Sequence, residues 1–385
     1  MLFFHCSFCS CYFDIQSTRL FAPEFFSENY FYNPSAIYKS GQEVSKLINK
    51  ARMDIISYLG GGKFDNFIFT SGATEANNMA LRGLLRNKNS KILVSVVEHP
   101  SVFNVANELK NQGYNVEFVN VNADGRIDLE DFEKKIDSNT SFVSIMHVNN
   151  ETGAINDIKN LVKIAKAKND KIIFHCDGVQ AYGKIKVNVA ALGVDLYTIS
   201  AHKIHGLKGV GGLYIRNGIN IKPILFGGGQ EKTLRSGTEN TAGVYSFAKT
   251  CKLATENLTE NFNKVVELKK YLIENLKEIK GVKFNLNQDE NVSPYILSIS
   301  VENCKAETIL NMLEDRGIII GNGSACSSKH KDNRILSNMG IKLKDIEGSL
   351  RISFSSDNTI EEAESFIEEF KCVIDNYLKN TNRRN

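Results

Sequence analysis

From about residue 64 onward, short apolar runs alternate with longer amphipathic stretches. The runs at 67–70, 92–97, 116–121, 141–148, 171–175 and 195–200 have the length of strands. Several are continuously apolar rather than alternating, the pattern of strands covered on both faces. Between them, 75–86, 102–111, 129–136 and 158–168 carry helical periodicity. This βαβ rhythm predicts an α/β fold with a mostly parallel sheet wrapped by helices.

After about residue 240 the rhythm changes. An amphipathic stretch, 255–280, stops at Gly281, a residue suited to a helix C-terminus. Strands are predicted at 282–284 and 296–301, a helix at 306–316, and a strand at 318–320 that runs into Gly321-Asn-Gly-Ser-Ala-Cys-Ser-Ser328. A further strand is expected at 350–355. Thr359-Ile-Glu-Glu362 has the form of a capping box opening a last helix to about Tyr377, with a frayed tail from Lys379. The expected organisation is an N-terminal segment 1–14, a large domain 15–250 and a smaller α+β domain 251–385.

Composition narrows the class. Hydrophobic residues make up 42% of the 385 and charged residues 24%, which excludes a disordered or collagen-like chain. No apolar run reaches the ~18 residues of a membrane span. The net charge of +3, with Lys and Arg interspersed among Asp and Glu, gives no footprint for nucleic acid or a membrane surface. The cysteines at 6, 9, 11, 176, 251, 304, 326 and 372 accompany neither a secretory signal nor a basic presequence. They read as free thiols in a reducing compartment, which predicts a cytoplasmic protein. Cys6-x-x-Cys9-x-Cys11 and His5 have metal-ligand chemistry, but a structural zinc site takes a second ligand pair and none accompanies them. They are read as a frayed start, and no metal is expected.

Three segments at predicted strand ends carry the chemistry. In Phe69-Thr-Ser-Gly-Ala-Thr-Glu-Ala-Asn-Asn78 a strand gives way to a small-residue turn and a helix, which offers backbone N–H groups to a phosphate. Read alone, it is an ordinary helix cap. In His175-Cys-Asp-Gly-Val-Gln180 an Asp emerges from a buried strand, costly unless it meets a cation such as a protonated pyridine nitrogen. The plain alternative is a cap for the next helix. In Ser200-Ala-His-Lys-Ile-His-Gly-Leu-Lys-Gly-Val-Gly-Gly212 a Lys between small residues is a candidate Schiff-base former. A lone Lys there is more simply a surface Lys. Open α/β sheets bind ligands at their strand ends. The three segments together are the parts of a site for pyridoxal 5'-phosphate (PLP).

With these in place, the chain resembles the cysteine desulfurases of the NifS/IscS type, within the class V aminotransferases. The matching segments are Thr70-Ser-Gly-Ala-Thr-Glu75, Glu98-His99, Met146-His-Val-Asn-Asn-Glu151, His175-Cys-Asp-Gly-Val-Gln180, Ser200-Ala-His-Lys203, Arg235-Ser-Gly-Thr238, Gly323-Ser-Ala-Cys-Ser-Ser328 and Arg351-Ile-Ser-Phe354. They occur in the family's order from about residue 30 to 375.

The resemblance implies the fold type I of PLP-dependent transferases, with a seven-stranded, mostly parallel sheet. It implies that Lys203 carries PLP, that Asp177 pairs with the pyridinium nitrogen and that Gln180 faces the ring hydroxyl. It further implies that His99 stacks on the ring and assists proton transfer, and that Ala73, Thr74, Ser200 and His202 hold the phosphate. Thr238 is expected to reach the phosphate of a neighbouring subunit, in a homodimer. Asn150 and Arg351 are expected to orient L-cysteine, Arg351 by clamping its carboxylate. Cys326, in a loop of the long-loop type, is the expected nucleophile. It would take sulfur as a persulfide and pass it to an acceptor protein for iron–sulfur cluster, tRNA thiolation or thiamine pathways; the 323–329 loop and the 351–355 strand look most like members associated with tRNA thiolation.

The chain departs from the family pattern in places. In Phe13-Asp-Ile-Gln-Ser-Thr-Arg19 the family's Asn is Ile15, and Gln16 and Arg19 are foreign, although Asp14 and Thr18 are kept. This segment lines the substrate side in relatives, which implies altered substrate handling. A usual His is Tyr38 and a usual Pro is Leu207. Two other readings stand beside the desulfurase: a class V relative such as a selenocysteine lyase, and a catalytically weak scaffold that docks sulfur acceptors. Cys326 argues against a plain aminotransferase, and Lys203, Asp177, Arg351 and Cys326 together argue against the scaffold.

Overall fold

Each strand of the N-terminal part buries both faces, so each demands helices on both sides of the sheet. The computed structural model describes residues 32–84, 87–322 and 333–382. Segment 1–14, the cysteines at 6, 9 and 11 and the divergent Asp14–Arg19 stretch lie outside the described residues. The chain runs through α1 (Lys39–Tyr58), β1 (Asn66–Thr70), α2 (Ala73–Gly83), β2 (Lys91–Ser95), α3 (Pro100–Asn111), β3 (Val116–Val119) and α4 (Leu129–Lys135). It continues through β4 (Thr140–Ser144), α5 (Ile158–Lys168), β5 (Ile173–Asp177), α6 (Val189–Leu192), β6 (Leu196–Ser200), β7 (Gly211–Ile215) and α7 (Thr241–Glu256).

The seven strands form one sheet in the order β1-β7-β6-β5-β4-β2-β3, with β7 antiparallel to both neighbours and the other pairs parallel. The expected mostly parallel seven-stranded α/β sheet is therefore present. Alternate residues point to opposite faces. Ile68, Val94, Leu196 and Leu213 pack with Ala76 and Met79 of α2 and Val102 of α3. Phe67, Leu93, Phe174 and Tyr197 pack on the other side with Ile55 of α1, Leu161 of α5 and Phe247 of α7.

A second, antiparallel sheet has its own core. It is built from α8 (Leu258–Leu276), β8 (Val282–Phe284), β9 (Ile296–Val301), α9 (Ala306–Glu314), β10 (Gly321–Asn322), α10 (Arg334–Asn338), α11 (Leu343–Ile346), β11 (Ser349–Ser353) and α12 (Ile360–Asn382), in strand order β10-β11-β9-β8. Leu272, Leu297, Ile309, Phe366 and Phe370 fill its interior. The capping box forms at α12: the Thr359 N–H donates to Glu362 Oε2 at 3.2 Å and the Glu362 N–H to Thr359 Oγ1 at 3.3 Å. Among the described residues, no helix is long and apolar enough to cross a membrane.

Several elements differ from the sequence expectation. Helix α1 lies ahead of the stretch where elements were expected; Val44, Ile48, Ala51, Ile55 and Ile56 form its buried stripe, with a buried charge, Arg52, within it. The stretch expected from 255 to 280 forms α8, Leu258–Leu276, while α7, Thr241–Glu256, which ends just ahead of it at the shared cap Asn257, was not expected. No strand forms at 318–320; the two-residue β10 lies just after it, at Gly321–Asn322, and α12 runs on to Asn382 instead of fraying at 379. The runs 92–97 and 141–148 outlast β2 and β4, because Val97, Ile145, Met146 and Val148 are buried in turns at the sheet edge rather than in strands.

Strand β7 was hidden in what reads as a glycine-rich loop. Only ten residues link β6 to β7, too few for a parallel crossover, so the chain turns back antiparallel. Its glycines are required by packing. A Cβ at Gly212 would overlap the Phe67 ring, and one at Gly211 would stand 2.9 Å from the Gly72 Cα. Gly212→Ala should therefore lower stability by about 1–3 kcal/mol, read as an earlier urea midpoint. An unchanged midpoint would show that the Phe67 ring can move aside without loss.

Candidate active site

Strands β1, β2, β4, β5 and β6 all point the same way, so the turns that follow them meet at one edge of the sheet. After β1, Gly72 caps α2 without any side-chain hydrogen bond to the helix end. A Cβ at Gly72 would meet nothing within 4 Å, so open space lies beside the backbone N–H groups that lead into Ala73 and Thr74. The turn is braced from below. The Thr70 hydroxyl donates to Gly72 O at 2.9 Å, and the Ser71 N–H donates to Glu75 Oε2 at 2.8 Å. Arg235 grips Glu75 with Nε–Oε1 at 2.8 Å and Nη2–Oε2 at 3.2 Å. Three residues beyond Arg235, Thr238 is exposed.

Asp177 ends β5 and is 5% exposed. Its Oδ2 accepts from Asn77 Nδ2 at 2.8 Å and its Oδ1 from the Val179 N–H at 3.1 Å. Gly178 lets the chain turn directly over Tyr197, whose ring a Cβ would overlap. Asn77, on α2, also donates to Ser101 Oγ at 2.8 Å, and Ser101 Oγ lies 2.8 Å from His99 Nδ1. One hydrogen-bonded line thus joins Asp177, Asn77, Ser101 and His99.

His99 is the N-cap of α3, and its Nδ1 accepts from the Ser101 N–H at 3.1 Å. A backbone N–H can only donate, so Nδ1 is unprotonated and the neutral ring carries its proton on Nε2. Burial lowers the His99 pKa; the charges of Lys203 and Arg334 push the same way, and Asp177 opposes them. In this tautomer the ring gives a proton through Nε2 and must rearrange before it can accept one there.

After β6, Ser200 leads into a single 3₁₀ turn, Ala201–Ile204, which carries His202 and Lys203. Ser200 Oγ lies 2.8 Å from His202 Nδ1. Burial, with the charges of Lys203, Lys208 and Lys184, holds the His202 imidazole down at about 4, so it is neutral at physiological pH. Gln180, after β5, accepts from Lys184 Nζ at 2.7 Å. Arg351 comes from β11 of the second sheet and donates through Nη1 to the Asn150 carbonyl at 2.8 Å. Asn150 Oδ1 is buried and meets no donor among the described residues. Tyr38 stands at the N-cap of α1, and Leu207 packs against the core of the large sheet. Cys326 lies outside the described residues.

Several contributors escaped the sequence reading. Asn77 gave no signal beyond its place one helical turn into α2. Arg334 donates to Val96 O and, at 2.5 Å, to Glu98 O, and its guanidinium stacks 3.8 Å from the centroid of the Phe103 ring. It thereby ties α10 to the backbone before His99. Beside it, Asn333 Nδ2 donates to Glu151 Oε2 at 2.9 Å. Glu98 is fully buried and accepts from the Met146 N–H at 2.6 Å; burial and the nearby Asp177 charge push its carboxyl well above the usual range.

A buried carboxylate needs a cation or must take up a proton. Among the described residues no Lys, Arg or His forms an ion pair with Asp177, although Lys203 stands on the adjoining strand end. The uncapped α2 end suits an anion, and Asp177 suits a protonated ring nitrogen. Those residues fit a molecule that is phosphate at one end and pyridinium at the other.

What the strand ends assemble is thus a PLP-type site in an α/β enzyme. The sequence pattern of the class-V aminotransferases matches residues 20–366, and the chain belongs to that family. The family is PLP-dependent. The cysteine desulfurase IscS of Dictyoglomus turgidum is 38% identical over 355 residues, covering 91% of this chain and 89% of that protein. The solved NifS-like protein from Rickettsia africae is 31% identical with a TM-score of 0.87, covering 97% of this chain and 99% of that one. SspA, solved in complex with cysteine, is 27% identical with a TM-score of 0.75 over 90% of this chain and 95% of that one.

Burial raises the Glu151 carboxyl to about 7; the Asn333 hydrogen bond and the charges of Arg351 and Arg334 offset part of that rise. Its unfolded value is near 4.3, so between those pH values the folded state binds the extra proton and stability falls as pH rises. Above about pH 7 the penalty is fully present. Glu151→Gln, a neutral isostere that still accepts from Asn333, should raise stability at pH 8 by about 1–3 kcal/mol and change little at pH 4.5. Urea unfolding at the two pH values measures it. An equal effect at both would assign the change to packing.

Proposed function

We propose that this protein is a PLP-dependent cysteine desulfurase. It converts L-cysteine to L-alanine, leaves a persulfide on Cys326, and passes that sulfur to an acceptor protein in the cytoplasm. The observation that carries the reading is the meeting at one sheet edge of a buried Asp177, which has no ion-pair partner among the described residues, the uncapped α2 turn and Lys203. The relatives named cysteine desulfurase and the Gly-Ser-Ala-Cys326 segment narrow the substrate from amino acids at large to cysteine.

PLP bound here supplies an electron sink that weakens bonds around the α-carbon of an amino acid. The residues of the chain do the rest. Ala73, Thr74, Ser200 and His202 hold the phosphate, with a neutral His202 acting as hydrogen-bond partner rather than counter-ion. Asp177 Oδ keeps the ring nitrogen protonated. Gln180 addresses the ring oxygen and His99 covers the ring. Lys203 anchors the cofactor and, once displaced by the substrate amine, its Nζ takes the proton from Cα. Arg351 clamps the α-carboxylate, aligned by its bond to the Asn150 carbonyl, and the Asn150 amide meets the substrate. The Cys326 thiolate attacks the substrate sulfur; the Cβ–S bond breaks, its electron pair stays with Cβ and takes up a proton, Lys203 Nζ returns a proton to Cα, and alanine leaves. Thr238, exposed in the single chain, reaches the phosphate of a second copy, so the working unit is a homodimer. The part that carries Cys326, 251–385, is the smaller domain.

The test is direct. Reconstituted with PLP, the protein should show a visible band that Lys203→Ala shifts. With L-cysteine and a thiol reductant it should release sulfide and alanine in equal amounts. Cys326→Ala should keep the band and cut sulfide release by roughly a hundredfold or more. Wild-type turnover by Cys326→Ala would overturn the persulfide step. Absence of sulfide from a PLP-loaded wild type would overturn cysteine as the substrate.

A further inference from the structure

Lys184 is a buried amine that the proposed chemistry leaves unused. It follows β5 by seven residues and is 9% exposed. Its Nζ donates to Gln180 Oε1 at 2.7 Å and lies 5.7 Å from the centroid of the Tyr295 ring, just ahead of β9. Burial, together with the charges of Lys203 on the 3₁₀ turn and Arg351 on β11, pulls its amine down to about 7. A lysine held at that cost needs a reason.

The chemistry of the pair supplies one. An ammonium has only donors, whereas a carboxamide has one donor end and one acceptor end. While protonated, Lys184 therefore fixes which end of Gln180 turns toward it: its Nζ donates to Oε1 at 2.7 Å, and the two Nε2 hydrogens face away. Without it the carboxamide could turn over and present its oxygen instead.

We propose that Lys184 is a positioning residue, which orients Gln180 so that its Nε2–H, not its Oε1, is offered to the ring oxygen of PLP. This rests on the PLP reading given above. The aromatic ring of Tyr295 holds the amine from the side of the second sheet, so the orientation of Gln180 depends on both parts of the chain. The donated hydrogen bond and the nearby positive charge both favour the anionic form of the ring oxygen. Losing them makes the proton that titrates with the visible band harder to remove.

The experiment is a pH titration of that band in PLP-loaded wild type, Lys184→Met and Lys184→Arg. Met matches the length of the lysine stem and suits a buried site, and melting of the apoprotein reports on folding. Lys184→Met should raise the midpoint by about one unit, a tenfold change, while Lys184→Arg, donor-only like lysine, should stay near wild type. A space-filling role would leave the midpoint of Lys184→Met in place, and that result overturns the proposal while the PLP reading stands. If Lys184→Met does not fold, Lys184→Leu decides, since it too can donate nothing to Gln180 Oε1 and should give the same upward move. A wild type that takes up no PLP overturns the cofactor reading and this proposal with it.

Discussion

A carboxylate buried at the end of a central strand constrains everything around it. Among the described residues, Asp177 is satisfied by Asn77 and the Val179 N–H. Neutral donors stabilise a carboxylate but do not balance its charge. The geometry they impose spreads outward. Asn77 must sit on the inner face of α2, Ser101 must open α3, and His99 must hold Nδ1 toward Ser101. The carboxylate, the helix pair and the imidazole are thereby set by one hydrogen-bonded line.

The electrostatics of the edge follow the same logic. Lys184, Lys203, Arg351 and Arg334 give it positive charge, and two imidazoles among them, His99 and His202, are held neutral by burial and by those cations. Such an edge attracts anions while keeping neutral hydrogen-bonding groups at hand. Glu98 and Glu151 stand behind it as carboxyls pushed upward by burial. They serve as hydrogen-bond partners to Met146 N–H and Asn333, not as counter-ions, which preserves the positive field.

Much of this was legible in the residue order. The six parallel-type strands stood out because two-sided burial makes several of them continuously apolar, and the capping box at Thr359 and Glu362 formed as written. Strand-end motifs singled out Asp177 and Lys203, and the family resemblance singled out His99 and Arg351. What escaped was chemistry without local contrast. Strand β7 looked like a loop because its glycines answer to Phe67 and Gly72, distant in sequence. Helix α1 lies ahead of the stretch where elements were expected, and Arg52, buried against Glu231 at 2.7 Å, puts a charge within its apolar stripe. Asn77 and Arg334 are ordinary helix residues until their partners are known.

Residue types at short spacing were enough for the family, the βαβ order and the small-residue turn that opens α2. Only the tertiary structure decided which strand ends share an edge and which way β7 runs. It also decided that Arg351 reaches Asn150 across 201 positions, and which tautomer and which amide face the site presents. Those are matters of long-range packing: a hydrogen bond chooses its donor and acceptor from whatever the fold brings within about 3 Å, and sequence distance plays no part in that choice.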